Sequence, residues 1–452
     1  MMRKGNFDGV GIEFNILNDT LLVINPIVGG PSQKVGVLAG DRIITVDGKT
    51  IAGVGLKNTE VVKLLRGPKG TQVTIAVQRR DVNELLYFKI TRDKIPIHSL
   101  SASFWAAPGI AYINIGHFSF TTHEEFKTAI KKLGKTPDGL ILDLRSNAGG
   151  VLDAAIAIVD ELLPKGALIV YTEGRAMPRI DALATDTLHL FEKGKLIVLL
   201  DEHSASASEI VAGAVQDWDR GLLLGRRTFG KGLVQNQSEL PDGSLIRITV
   251  ARYHTPTGRL IQRDYEKGKA KQYYDALYKR YETGELYFAD STSFPDSLKY
   301  FTLKNKRTVY GGGGIMPDIF IPLDTSRNTA YHAKLVRMGI IHQFSLRYTD
   351  KNRKSLTSKY ANITSFNKKF ALSDAEFDEL ITFAESQKLP RNEADIAKAK
   401  SDIVVQVKGL IAQDLFGISA YYEVVYPLVD DNYRKAVEIM KNWKQYEGKL
   451  KQ

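Results

Sequence analysis

Between residues 109 and 200 the apolar positions switch repeatedly between two spacings. Short continuous apolar runs at 109–115, 140–144, 167–171 and 196–200 read as strands, while 124–133 and 152–163 carry their apolar residues at helical spacing. Such alternation predicts an α/β layer with helices packed on a sheet. Upstream, 9–14 and 22–24 are β-rich runs broken by glycine, 57–65 has helical spacing with Val61, Val62 and Leu65 as its apolar positions, and 73–77 is again a strand. Beyond Pro322 the pattern turns helical. Ser373 stands as an N-cap before Phe377, Leu380, Ile381 and Phe383, and a second stripe runs through Ile396, Ile403, Val404, Val407, Ile411 and Leu415. A last amphipathic, lysine-rich helix is predicted over 432–446. Residues 264–308 interrupt the order with Lys-, Tyr- and Asp-rich sequence and read as a solvated excursion, a lid or partner surface being the other uses.

With 452 residues, 43% of them hydrophobic, the chain has material for about three domains with sizeable cores. Its net charge of +11 favours acidic partners, yet 62 basic residues are interleaved with 51 acidic ones and no nucleic-acid signature is present. A solvated basic surface is the better reading. The absence of cysteine excludes disulfides, thiolate nucleophiles and cysteine-ligated zinc. His123-Glu124-Glu125-Phe126-Lys127 lacks the second histidine of a zinc-protease helix, so neither a metal nor a cofactor is expected. No apolar run has the length of a membrane span, and Met1 to Gly5 is followed by no signal core.

The chemistry concentrates in 204–235. In the run S-A-S-A-S-E, Ser206 immediately precedes a helical pattern, and Lys231 lies between Gly230 and Gly232. A serine hydroxyl needs a neighbouring base, and lysine can serve only if burial lowers its pKa. Ser206 with Glu209 also has capping-box spacing, in which the serine has no chemical task. Gly225 to Lys231 imitates a phosphate-binding loop, but Gly232 stands where Ser or Thr is required. His203 offers a Ser/His alternative for which no acidic orienter can be named.

Taken together, S-A-S-A-S-E, Asp217 and G-R-R-T-F-G-K-G-L-V-Q strongly resemble the C-terminal processing peptidases, also called tail-specific proteases. The resemblance implies Ser206 as nucleophile, Lys231 as general base and Gln235 as a residue that helps orient the lysine. Asp217 matches a family position too, but eleven helical residues put it about 16 Å from Ser206, so it is assigned to support of the site. Residues 143–150 match the family's D-L-R-x-N-x-G-G, which implies an oxyanion hole from Gly149 or Gly150 with the N–H of Ala207. Ala148 stands where the family often has proline. The segments 253–259 and 310–318 resemble the family's Y-x-T-P-x-G-R and G-I-x-P-D and are read as architectural. At the front, 9–14 and 31–48 resemble a PDZ domain of the bacterial protease type, with Gly9, Val10, Gly11 and Ile12 as the loop that holds a terminal carboxylate.

The fold implied is a multidomain α/β (α+β) chain. It comprises a PDZ domain at 1–95, a crotonase-like α/β serine peptidase core at 96–325 with 264–308 as an insertion, and a helical domain at 326–452. The function implied is an ATP- and metal-independent serine endopeptidase that binds proteins with accessible C-terminal tails and cleaves nearby. The competing reading is a catalytically silent tail-binding adaptor, which has no need for Ser206, Lys231, Gln235 and the Gly149-Gly150 turn together. Neither nucleic acid nor cofactor enters. Family resemblance implies a periplasmic or cell-envelope setting and an N-terminus cut back from a longer form. After Pro322 the resemblance ends, and the helical tail reads as a domain for control of substrate access or homo-oligomer formation, with packing alone as the other account of its apolar stripes.

Overall fold

The computed structural model describes residues 6–451 except 28, 56, 81, 97, 186–188, 266, 267, 269, 292, 293 and 328. The reading of Met1 to Gly5 lies outside them. The chain divides into two compact units, His98–Thr325 with Asp430–Gln452, and Met2–Ile97 with Ser326–Val429.

In the first unit a six-stranded sheet runs in the order Ile319–Phe320, Leu222–Gly225, Lys195–Leu200, Gly139–Asp143, Ile110–Ile115, Leu100–Ala107. All pairings are parallel except the last. Parallel strands are covered on both faces, which explains why 110–115, 139–143 and 196–200 read as unbroken apolar runs. Helices Thr122–Lys132, Leu152–Asp160 and Ala207–Asp217 contribute Phe126, Ile158 and Val211 to the core beside Leu142 and Val198. Helix Ala207–Asp217 is buried along its whole length. A second, antiparallel sheet takes the order Met177–Leu183, Leu168–Gly174, Leu245–His254, Leu233–Glu239.

Two expectations change here. The last helix, Asp431–Lys441, belongs with the unit of the six-stranded sheet rather than with the helical region before it. Tyr433 packs edge-on to Tyr112 at 5.4 Å, and Asp430 pairs with Arg145 at 2.8 Å. The insertion 264–308 is also no solvated excursion, because Arg280, Glu285 and Leu286 within it are buried.

In the second unit, strands Ile12–Leu17, Thr20–Pro26, Arg42–Val46, Gln72–Gln78 and Leu86–Thr91 form an antiparallel sheet in that order. Helix Asn58–Leu65 covers one face, sending Val61 and Leu65 into a core with Val23, Ile43 and Val77. Helix Ile340–Lys359 lies against the other face, where Leu346 meets Leu17 and Leu22 and Asp350 receives Arg42 and Arg80. That helix also joins a helical core with Glu393–Phe416, in which Ile396, Ile403, Val407 and Ile411 are buried. The Ser373 N-cap forms, its side chain accepting from Glu376 N–H.

Candidate active site

Strand Lys195–Leu200 leaves the sheet and turns into helix Ala207–Asp217, and Ser206 is the residue at that turn. Its φ of 57° and ψ of −112° are a conformation that an L-residue keeps only when its surroundings hold it. Ser206 N–H donates to Glu209 Oε2 at 2.8 Å. Its carbonyl accepts from Glu209 N–H at 2.8 Å and from the Tyr253 hydroxyl at 3.1 Å. Only the glutamate half of the capping box is therefore made. The serine hydroxyl forms no capping bond.

The preceding turn is tied to residues 143–150. Asp201 accepts the N–H groups of Ser146, His203 and Ser204. The Asn147 carbonyl accepts from Ala205 N–H and from the Ser208 hydroxyl, each at 2.9 Å. Its side-chain oxygen accepts Gly149 N–H at 2.9 Å, so that donor is already engaged. The N–H groups of Gly150 and Ala207 donate to no acceptor among the described residues. Gly149, at φ +96°, leaves space that a Cβ would close, since that atom would stand 2.8 Å from Ser206 Cβ and 2.9 Å from Ala207 N.

Lys231 is half-buried. Its N–H donates to Glu209 Oε2 at 2.8 Å, the same oxygen that takes Ser206 N–H. Oε1 accepts from the Thr228 hydroxyl at 2.6 Å and from Gly230 N–H at 2.7 Å. Glu209 is fully buried, and burial pushes its carboxyl above the usual range while these hydrogen bonds pull the other way. Tyr253 makes a second tie, its hydroxyl donating to the Lys231 carbonyl as well as to that of Ser206. Burial raises this phenol well above its ordinary value, which keeps it a donor. Sequence reasoning missed both ties, reading Glu209 as a cap and Tyr253 as part of a turn motif. The signal available was the S-x-x-E spacing itself, which folds a carboxylate back over the N–H of Ser206.

Gln235 lies half-buried on strand Leu233–Glu239, paired with Thr249. Asp217 is buried at the far end of the helix, ion-paired with Arg259 and accepting Thr257 N–H at 2.9 Å and its hydroxyl at 2.7 Å. It thereby fixes the T-P-T-G-R turn. His203 is exposed, and its nearest carboxylate, Glu202 at 3.9 Å, is bound by Arg226. Among the described residues no helix is long and apolar enough to cross a membrane, and no cluster of His, Asp and Glu could hold a metal ion.

In the second unit, Gly9 to Ile12 leads into strand Ile12–Leu17, an edge strand that among the described residues pairs only with Thr20–Pro26. Gly11 has φ +74°, and a Cβ there would approach Ile95 Cδ1 to 2.9 Å. The Val10 carbonyl is held by Ser32 N–H and hydroxyl at 3.0 and 2.7 Å, and the Gly11 carbonyl by Ile27 N–H at 2.9 Å. On helix Asn58–Leu65, Val61 and Leu65 are buried while Val62 and Leu64 are half-buried.

Residues 109–268 match peptidase family S41, 22–79 match the PDZ domain, and 331–417 match a family of unknown function, DUF8443. The chain is 42% identical over 267 residues to a carboxy-terminal-processing protease of Bartonella bacilliformis, covering 57% of this chain and 60% of the relative. It is 32% identical to the photosystem II D1 C-terminal processing protease, covering 57% of this chain and 70% of that one with a TM-score of 0.33. It is 30% identical to the PDZ domain of the carboxy-terminal protease from Vibrio cholerae, solved with a peptide, covering 20% of this chain and 97% of that one with a TM-score of 0.19. The chain belongs to the PDZ-containing C-terminal processing peptidases of family S41. It spans about half to three-fifths of the length of the curated relatives it matches.

Proposed function

We propose that this protein is a serine endopeptidase that cleaves polypeptides with a Ser206/Lys231 pair. The observation that carries this reading is the single carboxylate oxygen of Glu209 that holds the backbone of both residues. Ser206 Oγ attacks the scissile carbonyl carbon while the neutral Lys231 amine takes its proton. The oxyanion is received by the N–H groups of Ala207 and Gly150. Gly149, its own N–H bound to Asn147, supplies clearance instead. The lysine ammonium then protonates the leaving amine, and a lysine-activated water hydrolyses the acyl-enzyme. Gln235 orients the amine and Asp217 supports the turn at 255–259.

Substrate selection belongs to the PDZ unit. A C-terminal tail adds to the edge strand Ile12–Leu17, its carboxylate against Gly9, Val10, Gly11 and Ile12. The domain scheme 1–95, 96–325 and 326–452 stays useful as a division of labour, with 430–452 structurally part of the peptidase unit. A periplasmic or cell-envelope setting is part of the same reading, tested by cell fractionation.

The decisive experiment incubates unfolded proteins ending in apolar residues with wild type, Ser206→Ala and Lys231→Ala. Cleavage by wild type alone supports the pair. Equal cleavage by all three, or none by wild type, removes the peptidase reading and favours the silent adaptor. Because the base must be uncharged, activity falls as pH drops through the lysine pKa. A flat profile from mildly acidic to mildly alkaline pH contradicts a lysine base.

A further inference from the structure

The segment inserted at 264–308 reaches back to the loop that carries Lys231. Arg280, on helix Ala270–Glu282, is 6% exposed and aims its guanidinium at that loop's backbone. It donates to the Thr228 carbonyl at 3.0 Å and to the Arg227 carbonyl at 2.5 Å. Glu285 anchors it at 2.8 Å and also holds Arg227 through two bonds of 2.8 and 2.6 Å. Arg227 in turn donates to the Gly313 carbonyl at 2.9 Å. The Arg263 guanidinium also lies against Phe229 and Tyr273, 3.9 and 4.0 Å from their ring centres, the two rings standing edge-on to each other at 6.0 Å. Tyr273 comes from the same inserted helix.

These contacts end on the residue that links the pair. Thr228, gripped at its carbonyl by Arg280, gives its hydroxyl to Glu209. Glu209 then holds Lys231 N–H and Ser206 N–H. A buried guanidinium that donates two bonds to consecutive carbonyls fixes the path of that backbone, because both acceptors would otherwise be left bare.

We propose that the inserted segment is a clamp on the lysine loop and that Arg280 is a positioning residue for the Ser206/Lys231 pair, acting through Thr228 and Glu209. This rests on the peptidase reading above. The insertion is then a working part of the peptidase domain, and anything that lifts its helix would switch the pair off without touching Ser206 or Lys231.

The test compares wild type, Arg280→Met, Arg280→Lys, Tyr273→Ala and, as a control on the exposed side of the same helix, Tyr278→Ala. Tyr278 is 70% exposed. Peptide cleavage is measured against pH, and backbone amide exchange is followed over 226–232. Arg280→Met is expected to lower kcat roughly 100-fold with KM little changed, the cost of an ångström-scale misplacement. It should also move the acidic limb of the pH profile upward, since a looser loop wets the lysine, and speed exchange at Gly230 and Lys231. Arg280→Lys recovers part of each effect, and Tyr278→Ala leaves all of them at wild-type values. Should Arg280→Met fail to fold, Tyr273→Ala is read by the same measures. Wild-type kcat, pH limb and exchange in the Met variant, or in Tyr273→Ala, overturn the clamp. If wild type itself cleaves nothing, the peptidase reading falls, and exchange over 226–232 still decides whether the insertion holds the loop.

Discussion

Glu209 accepts the backbone N–H of Lys231 at 2.8 Å from a position three residues past Ser206, on the helix that Ser206 caps. One side chain therefore sets the spacing of two segments that are separated by a complete helix and a strand. Replacing Glu209 by Gln keeps the volume but turns one acceptor oxygen into a donor, leaving two of four buried donors facing an NH2 group. Each donor left bare costs about 1–3 kcal/mol. Glu209→Gln should lose cleavage by roughly 100-fold and unfold at lower urea, and a variant with wild-type kcat would contradict the bridging role.

Gly149→Ala tests the clearance beside Ser206. The added methyl meets Ser206 Cβ at 2.8 Å on a backbone at φ +96°. Activity should be abolished, with circular dichroism close to wild type because the damage is local. Gly150→Ala is more severe, since its methyl would come within 2.0 Å of the Phe118 carbonyl oxygen. That variant should fail to accumulate as folded protein.

Asp217 and Arg259 form a pair that is buried on both sides. Arg259→Met leaves the carboxylate without its counter-charge, a loss of about 3–5 kcal/mol for buried pairs. Urea denaturation should show that loss, and the turn at 255–259 should become protease-sensitive. A stability within about 1 kcal/mol of wild type, the usual range for an exposed pair, would mean that the pair is not doing what its burial implies.

Asp414, buried in helix Glu393–Phe416, has its carboxyl pushed up to about 6 by burial, against the opposing pull of Arg353. A raised acid favours its protonated, folded state. Its contribution is complete below the unfolded value near 4 and is lost as pH rises through about 6. The shift is about two units, on the order of 3 kcal/mol. The unit holding the PDZ and helical regions should therefore melt lower at pH 8 than at pH 5 by this term. Asp414→Asn should flatten that slope and raise the melting temperature at pH 8. An unchanged slope in the variant would assign the pH dependence to other groups.

Much of the architecture was legible because local patterns sufficed for it. The apolar runs at 109–115, 140–144 and 196–200 read as strands and are strands, and of the stripe Ile396, Ile403, Val404, Val407, Ile411 and Leu415 all but Val404 and Leu415, which are half-buried, lie in the core. The motif around Ser206 and Lys231 brought together two segments that the structure ties through Glu209. Helix Asp431–Lys441 was misplaced for the opposite reason. An amphipathic helix announces that it needs an apolar surface but not which one, and Tyr433 found Tyr112 rather than the helices beside it in sequence.

By itself the sequence determined the element types, the two recognisable regions and the residues with chemistry to offer, since each depends on spacing within a few turns or strands. Tertiary structure alone decided that Glu209 and Tyr253 join Ser206 to Lys231, that Asn147 takes the Gly149 N–H, and that Arg280 grips the backbone at Arg227 and Thr228. Those are hydrogen bonds between groups far apart in the chain or on backbone atoms that every residue possesses. Their partners are chosen by which buried polar groups folding brings within 3 Å and leaves no water to satisfy.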